Sequence, residues 1–377
     1  MKHFAAACFV LLLLNIAGRV VESRAVADDV APRRPHHHRH RPRNHRHHRP
    51  RPHKLFVFGD DFADNGNSAS DEALGSSSRS WRYPFGMSDT ARGRKPTGRY
   101  SDGLVQSDFL AKIMGHSESP PAYMSRDNWD DDGGGGGIDA SGMNFAVADA
   151  RALEVTAGNN ISAQVQQLRN LVTDGLIDDR DLEESVALIG YSGNDYASAN
   201  SDNMDDLVAK VVEELASVVS QLQDLGVAKV VVNTVPPFGC SPWLAVASNY
   251  SSCDDNGNVC SDKHNTALRG RLGGKDDDGV MLLDVNSIIT NLVAPKEGSA
   301  LYAGQFTAER RLRPCCEGTG DDGFCGKDGG GYTLCDNPDK YFFWDDVHPT
   351  HAGWRAIMQL LQGPIMAFLG ISNLQHF

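Results

Sequence analysis

The stretch Leu55-Phe56-Val57-Phe58-Gly59-Asp60-Asp61-Phe62-Ala63-Asp64-Asn65-Gly66-Asn67 changes character in its middle. Four apolar residues end at Gly59, and a run dominated by Asp, Asn and Gly follows. A short apolar run bounded by glycine suits a strand buried on both faces. The polar run then lies at the strand's carboxyl end, where open parallel sheets place their sites. Three further runs read the same way: Val186–Ile189 bounded by Gly190, the valine-rich Ala228–Val235, and Val280–Val285. Helical patterns lie between them at 104–114, 161–173, 204–224 and 350–369. In 204–224, Leu207, Val211, Val212, Leu215, Val218 and Leu222 recur with the period of one helix face. Continuous apolar strands alternating with amphipathic helices predict an α/β fold with a parallel sheet covered on both faces. Asp130–Asp132 followed by Gly133–Gly137 reads as a surface loop inside that domain.

Outside the domain the charge is uneven. Residues 33–54 carry eight Arg, one Lys and no acid, a charge of +9. Residues 1–32 sum to zero and the 377-residue chain totals −13, so residues 55–377 carry −22. A body that acidic is a poor partner for nucleic acid, whose affinity comes from cationic contacts with phosphate. No nucleic-acid partner is expected. The basic segment also holds eight of the chain's 14 His, interleaved with Pro. Residues 26–54 have too little apolar surface for a core and are expected to be disordered.

Residues 1–25 read as a signal peptide: Lys2 supplies a positive start, and Phe4–Ala17 is apolar except for Asn15. The run is short for a membrane span, and no later stretch could cross a bilayer. A secreted protein with no membrane span in its mature form is the expectation. Cys8 would leave with the signal. Cys240, Cys253, Cys260, Cys315, Cys316, Cys325 and Cys335 remain, mostly among Gly, Asp and Asn. In an oxidising compartment these read as disulfide staples with one cysteine left over, the pairing being open. Without paired CxxC spacing no metal site is expected, and no cofactor. Asn160-Ile161-Ser162 and Asn249-Tyr250-Ser251 are glycosylation sequons compatible with secretion.

Four segments carry chemistry. They are Phe58–Asn67, Met143–Arg151, Gly190-Tyr191-Ser192-Gly193-Asn194-Asp195, and Phe343-Trp344-Asp345-Asp346-Val347-His348-Pro349-Thr350 at the start of the last helix. An Asp three residues before a His can accept the Nδ1 proton and leave Nε2 toward the site as a base, which singles out Asp345 and His348. Asn194 could donate its side-chain amide to a developing oxyanion. Each has a plainer alternative: Asp345 as a helix cap beside a surface His, Asn194 as a turn residue.

Taken in this order and spacing, the four segments resemble the plant GDSL-type esterase/lipase family, the SGNH hydrolases. The likeness runs over about residues 54–370. It extends to Lys95-Pro96-Thr97-Gly98-Arg99-Tyr100-Ser101-Asp102-Gly103, Ser119-Pro120-Pro121-Ala122-Tyr123, Pro236-Pro237-Phe238-Gly239-Cys240, Pro314-Cys315-Cys316 and Cys325-Gly326. The resemblance implies a three-layer α/β/α sandwich with a parallel sheet, flavodoxin-like, over residues 55–377. It implies metal-free ester hydrolysis by Ser, His and Asp. His348 and Asp345 take the last two roles, and Asn194 the oxyanion position.

Three positions depart from the family pattern. Its first block reads Gly-Asp-Ser with the serine as nucleophile; here the block is Gly59-Asp60-Asp61. Its second block carries a glycine whose N–H joins the oxyanion hole; here that position is Asp149, and a second glycine position is Arg151. Loss of the nucleophile costs a serine hydrolase about 10⁶ in kcat, and an acid at 149 opposes an oxyanion. Ser68 and Ser70 lie beyond the turn and are poor substitutes.

Three functional readings follow. In the first, the fold has lost or nearly lost esterase activity and binds an ester or carbohydrate ligand. In the second, Asp61 and His348 carry out hydrolysis, Asp61 attacking carbon or helping to activate water. In the third, residues 33–54 carry the function by binding metal, anionic membranes or acidic polysaccharide.

Overall fold

In the computed structural model, which describes residues 53–68, 72–128, 138–153, 160–296 and 305–373, each apolar run forms a strand. The strands are β1 (Lys54–Gly59), β2 (Gly142–Asn144), β3 (Ser185–Gly190), β4 (Lys229–Asn233) and β5 (Val280–Leu283). They pair in parallel in the order β2-β1-β3-β4-β5. A short antiparallel pair, β6 (Cys316–Gly318) with β7 (Tyr332–Leu334), stands apart. The signal and basic segments up to residue 52, Ser70 and the Asp130–Gly137 run lie outside the described residues.

The strand centres are apolar at successive positions because both faces are covered. Leu55, Val57, Val186, Leu188, Val231 and Leu283 share one cluster with Phe109 of α1 (Gln106–Met114), Ile289 of α7 (Val285–Val293) and Ile357 of α8 (His351–Leu369). The alternating positions Phe56, Phe58, Ala187, Ile189, Val230 and Val232 are also buried and point to the opposite face. There α2 (Ile161–Thr173), α4 (Met204–Leu225) and α6 (Asp255–Leu272) pack. The result is a three-layer α/β/α sandwich, and its strand order is the flavodoxin-like one. That order reverses between β1 and β3, so a crevice opens beyond their carboxyl ends.

Four helices escape the sequence pattern: the short α3 (Asp179–Glu183) and α5 (Pro242–Ala245), and the longer α6 and α7. In α6 the buried positions include Cys260, Ser261, His264 and Asn265, so no apolar stripe marks it. The run Val280–Val285 reads as one strand, yet β5 stops at Leu283, Asp284 caps the turn by accepting from the Ser287 N–H, and α7 begins at Val285.

The cysteine pairing is Cys240–Cys253, Cys315–Cys335 and Cys316–Cys325. Cys260 is buried in α6 and takes no part in these bonds. Of the two sequon asparagines, Asn249 is exposed. Asn160 is buried and caps α2, its side chain accepting from Ala163 N–H; it is a poor acceptor for a glycan.

Candidate active site

Gly59 ends β1 at φ +131°, and a Cβ there would fall 2.3 Å from the Gly190 carbonyl oxygen of β3. Only glycine lets the two strand ends close this tightly. Gln164 of α2 braces the same peptide, accepting from the Gly59 N–H and donating to its carbonyl, both at 2.8 Å. The next residue, Asp60, ties the β1 and β3 loops together. Its Oδ2 accepts from Ser192 N–H at 2.7 Å and from Ser192 Oγ at 2.8 Å. Burial and then the Asp61 charge push the Asp60 carboxyl well above the usual carboxylate range.

Asp61 is buried where the four segments meet. Its Oδ1 accepts the Asp149 backbone N–H at 2.8 Å. Its Oδ2 lies 3.4 Å from Asn194 Nδ2 and 3.9 Å from His348 Nε2. The Asn194 amide also reaches Asp60 Oδ2 at 3.3 Å and the Ala150 carbonyl at 3.2 Å. Burial acts to raise the Asp61 pKa, but His348, the Asp149 N–H and Asn194 outweigh it and hold the carboxyl below its ordinary value.

Asp149 keeps the geometry that the glycine position demands. It sits at φ +61°, a left-handed conformation in which Asp and Asn are enriched among non-glycine residues. Its N–H therefore remains a donor, while its side chain is exposed. Position 149 thus acts on negative charge in two senses: its side chain opposes the Asp61 charge, and its backbone N–H donates to it. Although the residue is exposed at the surface, the protein atoms crowded around its carboxylate, and then the Asp61 charge, raise the Asp149 pKa.

The fourth segment brings Asp345 and His348 together ahead of α8. His348 Nδ1 lies 2.8 Å from Asp345 Oδ1 and 2.9 Å from Oδ2, while Asp345 Oδ1 also accepts the Val347 and His348 backbone N–H groups. The Tyr100 ring packs 4.9 Å from the imidazole. Burial alone would lower the His348 pKa, but Asp345 and then Asp61 push it up to about 9. Asp345 shows the mirror effect: burial raises it, the His348 cation and Arg79 prevail, and it falls below the usual range. At neutral pH His348 is an imidazolium held between two carboxylates, and only secondarily a base.

Several supporting residues carry no signal of their role in the sequence. Arg79 places Nη2 3.4 Å from Asp345 Oδ2 and its Cζ 5.2 Å from the Tyr100 ring centre. Asp64 accepts from the Gly66 and Asn67 N–H groups at 2.8 and 2.7 Å and from Ala148 N–H at 2.9 Å. It thereby clamps the loop carrying Asp149. Asn67 Nδ2 donates to the Asn144 and Ala146 carbonyls. Ser68 is spent on this scaffold, donating to Asp64 and accepting from Ala148 N–H. An apolar pocket adjoins the site, lined by Phe62, Phe238, Ile289, Phe343 and Val347 together with Asn194. Among the described residues, no three His, Cys, Asp or Glu side chains are grouped to hold a metal ion, and no helix is long and apolar enough to cross a membrane.

In acyl transfer, donors placed like Asp149 N–H and Asn194 Nδ2 receive an oxyanion. Here they face the carboxylate of the protein's own Asp61.

The sequence matches the family described as GDSL-like Lipase/Acylhydrolase over residues 55–361. Three GDSL esterase/lipases of Arabidopsis thaliana are similar to it. One is 34% identical over 335 residues, covering 84% of this chain and 95% of the relative. The second is 33% identical, covering 84% and 88%. The third is 35% identical, covering 82% and 85%. Matches that run from the first strand into the last helix, with the paired loops falling at the sheet's switch point, make the chain a member of the GDSL-like lipase/acylhydrolase family.

Proposed function

We propose that this chain is a secreted family member in which serine-type ester hydrolysis is shut off, and that its cleft works by binding an ester or carbohydrate ligand. The observation that carries the reading is the Asp61 carboxylate seated 2.8 Å from the Asp149 N–H and 3.4 Å from Asn194 Nδ2. A serine hydrolase needs those donors free for the charge that develops in the transition state. A resident carboxylate uses them in the ground state and presents no hydroxyl. Losing the nucleophile costs about 10⁶ in kcat and leaves about 10³–10⁴ over water. On this reading Asn194, Asp345, His348 and Asp149 persist as the frame of a binding cleft, and the apolar pocket takes the ligand's non-polar part.

The reading keeps residues 1–25 as a signal peptide, 26–54 as a basic spacer and 55–377 as the family domain. The +9 charge of residues 33–54 supports acidic polysaccharide as a further partner. The deciding experiment is an esterase assay on short acyl esters and acetylated sugars, comparing the native protein with Asp61→Ser. Native turnover within tenfold of an ordinary family esterase, abolished by His348→Ala, would sink the proposal.

A further inference from the structure

A site built for acyl transfer supplies hydrogen-bond donors and leaves the acceptor to the ligand. Around Asp61 the donors are taken. Asp149 N–H is held by Oδ1 at 2.8 Å, and the Asn194 amide is divided among the Ala150 carbonyl, Asp60 and Asp61. An acceptor is left instead. A carboxylate has about four lone-pair positions. Oδ2 has only the 3.4 Å contact to Asn194, the imidazole at 3.9 Å being beyond hydrogen-bond range. The side chain is not sealed off, since 7% of its surface remains accessible.

The neighbouring pocket is equally one-sided. Phe62 follows Asp61 in the chain and Asn194 touches it, and from these two the lining continues over Phe238, Ile289, Phe343 and Val347. Its polar side chains are Ser192, Ser241 and Asn194, and all three donate into the protein. Ser192 Oγ donates to Asp60 at 2.8 Å and Ser241 Oγ to the Phe238 carbonyl at 2.7 Å. A sugar ring entering here would strip water from its hydroxyls and meet no side-chain donor to replace it, which makes its burial costly. A hydrocarbon chain loses nothing of that kind.

We propose that Asp61 inverts the hydrogen-bonding polarity of the cleft and thereby selects its ligand: a neutral aliphatic compound with a free hydroxyl, whose O–H donates to Asp61 Oδ2 while its chain fills the apolar pocket. The inference rests on the binding reading and narrows its ligand class. An ester carbonyl brings only lone pairs to a carboxylate whose donors are used, so an ester fits only if it also bears a free hydroxyl. A ligand carboxylate sets a like charge against Asp61. An ammonium is a donor, but it would stand beside the His348 imidazolium, which lies 3.9 Å from the same oxygen. The neutral hydroxyl meets neither repulsion.

The test is a ranking on the native protein, so it does not depend on how any variant folds. ¹⁵N-labelled protein at neutral pH is titrated with 1-hexanol, methyl hexanoate, hexanoate, hexylammonium and xylobiose, following the backbone amides of Gly193, Asn194 and Ile289. Hexanol should bind at least ~10-fold more tightly than each of the others, the worth of one hydrogen bond to a charged acceptor. Asp61→Ala frees the Asp149 and Asn194 donors. It should lose the preference for hexanol and bind hexanoate at least ~10-fold more tightly than the native protein does, the ligand's carboxylate taking the place of the missing one. Methyl hexanoate or xylobiose binding the native protein as tightly as hexanol would overturn the proposal and leave the binding reading standing. Hexanoate or hexylammonium matching hexanol would overturn the proposed selection by charge. No shift of these amides with any of the five would overturn the proposal and the binding reading together. Release of methanol from methyl hexanoate, abolished by His348→Ala, would overturn the premise that ester hydrolysis is shut off.

Discussion

The Asp149 backbone N–H donates to Asp61 Oδ1 at 2.8 Å, so two of the three residues that depart from the family pattern are bonded to each other. The substitutions form one unit. Asp61 brings a charge, and Asp149 keeps the left-handed backbone that presents a donor to it.

Asp61→Ser should therefore raise esterase activity above the native level, because it restores a hydroxyl and empties a donor site that is still built. Adding Asp149→Gly should raise it again by roughly five- to tenfold, the worth of removing about 1 kcal/mol of repulsion from an exposed charge, while glycine keeps φ near +61°. Initial rates on p-nitrophenyl butyrate for the native, single and double variants decide it. Full activity from the single change would mean that the Asp149 carboxylate has no influence on the oxyanion.

His348 should titrate near pH 9 in the native protein, followed by the NMR shifts of its ring. Asp61→Asn should lower that value, and Asp345→Asn should lower it further, since Asp345 is the larger of the two influences. A native value below about 6 would contradict the arrangement.

The same shift sets a stability window. A folded pKa raised from about 6.5 in the unfolded chain gives stability that is fully present below about pH 6.5 and lost as pH rises through about 9. Asp61 works in the other sense: its lowered pKa contributes above the unfolded value of about 3.9 and is lost as pH falls through the folded one. Urea unfolding should show native stability falling by up to about 3 kcal/mol between pH 6.5 and 9. Asp345→Asn should flatten most of that slope.

Asp64→Asn should loosen the Asp149 loop from a distance. Asp64 accepts from Gly66, Asn67 and Ala148 N–H groups, and an amide nitrogen replacing one oxygen would leave a buried donor facing a donor. The cost should be about 1–3 kcal/mol, and the Ala148 and Asp149 amides should exchange with solvent faster. Unchanged exchange there would remove Asp64 from the support of the site.

Most of the sheet was legible because a strand covered on both faces carries an unbroken apolar run at its centre, as around Phe56, Leu188 and Val231. Helix α6 was not, since its inward residues include Cys260, Ser261, His264 and Asn265, the last two bonded to partners far off in sequence. His264 Nδ1 lies 2.5 Å from Tyr196 OH, and Asn265 exchanges bonds with the Val235 backbone at 2.9 and 3.0 Å. At the site, Asp61, Asn194, Asp345 and His348 were recognisable from their loops, and the structure brings them together. The donor kept by Asp149 was hidden because a backbone angle is not written in the residue type. Arg79 was hidden because its partners, Asp345 and Tyr100, are far off in sequence.

The basic segment should bind acidic polysaccharide in a way that depends on pH. Residues 33–54 carry +9 with neutral His and +17 with all eight His protonated. With a reference pKa of about 6.5, most of that change falls between about pH 7.5 and 5.5, blunted by mutual repulsion. The −22 of residues 55–377 weakens only as carboxylates approach their ordinary pKa near 4. Binding of the full chain to polygalacturonate should therefore strengthen from pH 7.5 to 5.5 and weaken with added salt, as screening requires. Deleting residues 26–52 should abolish it. A free peptide of residues 33–54 should bind the polymer with the same dependence on pH and salt. Binding that ignores salt, or that survives the deletion, would show the segment to be a spacer.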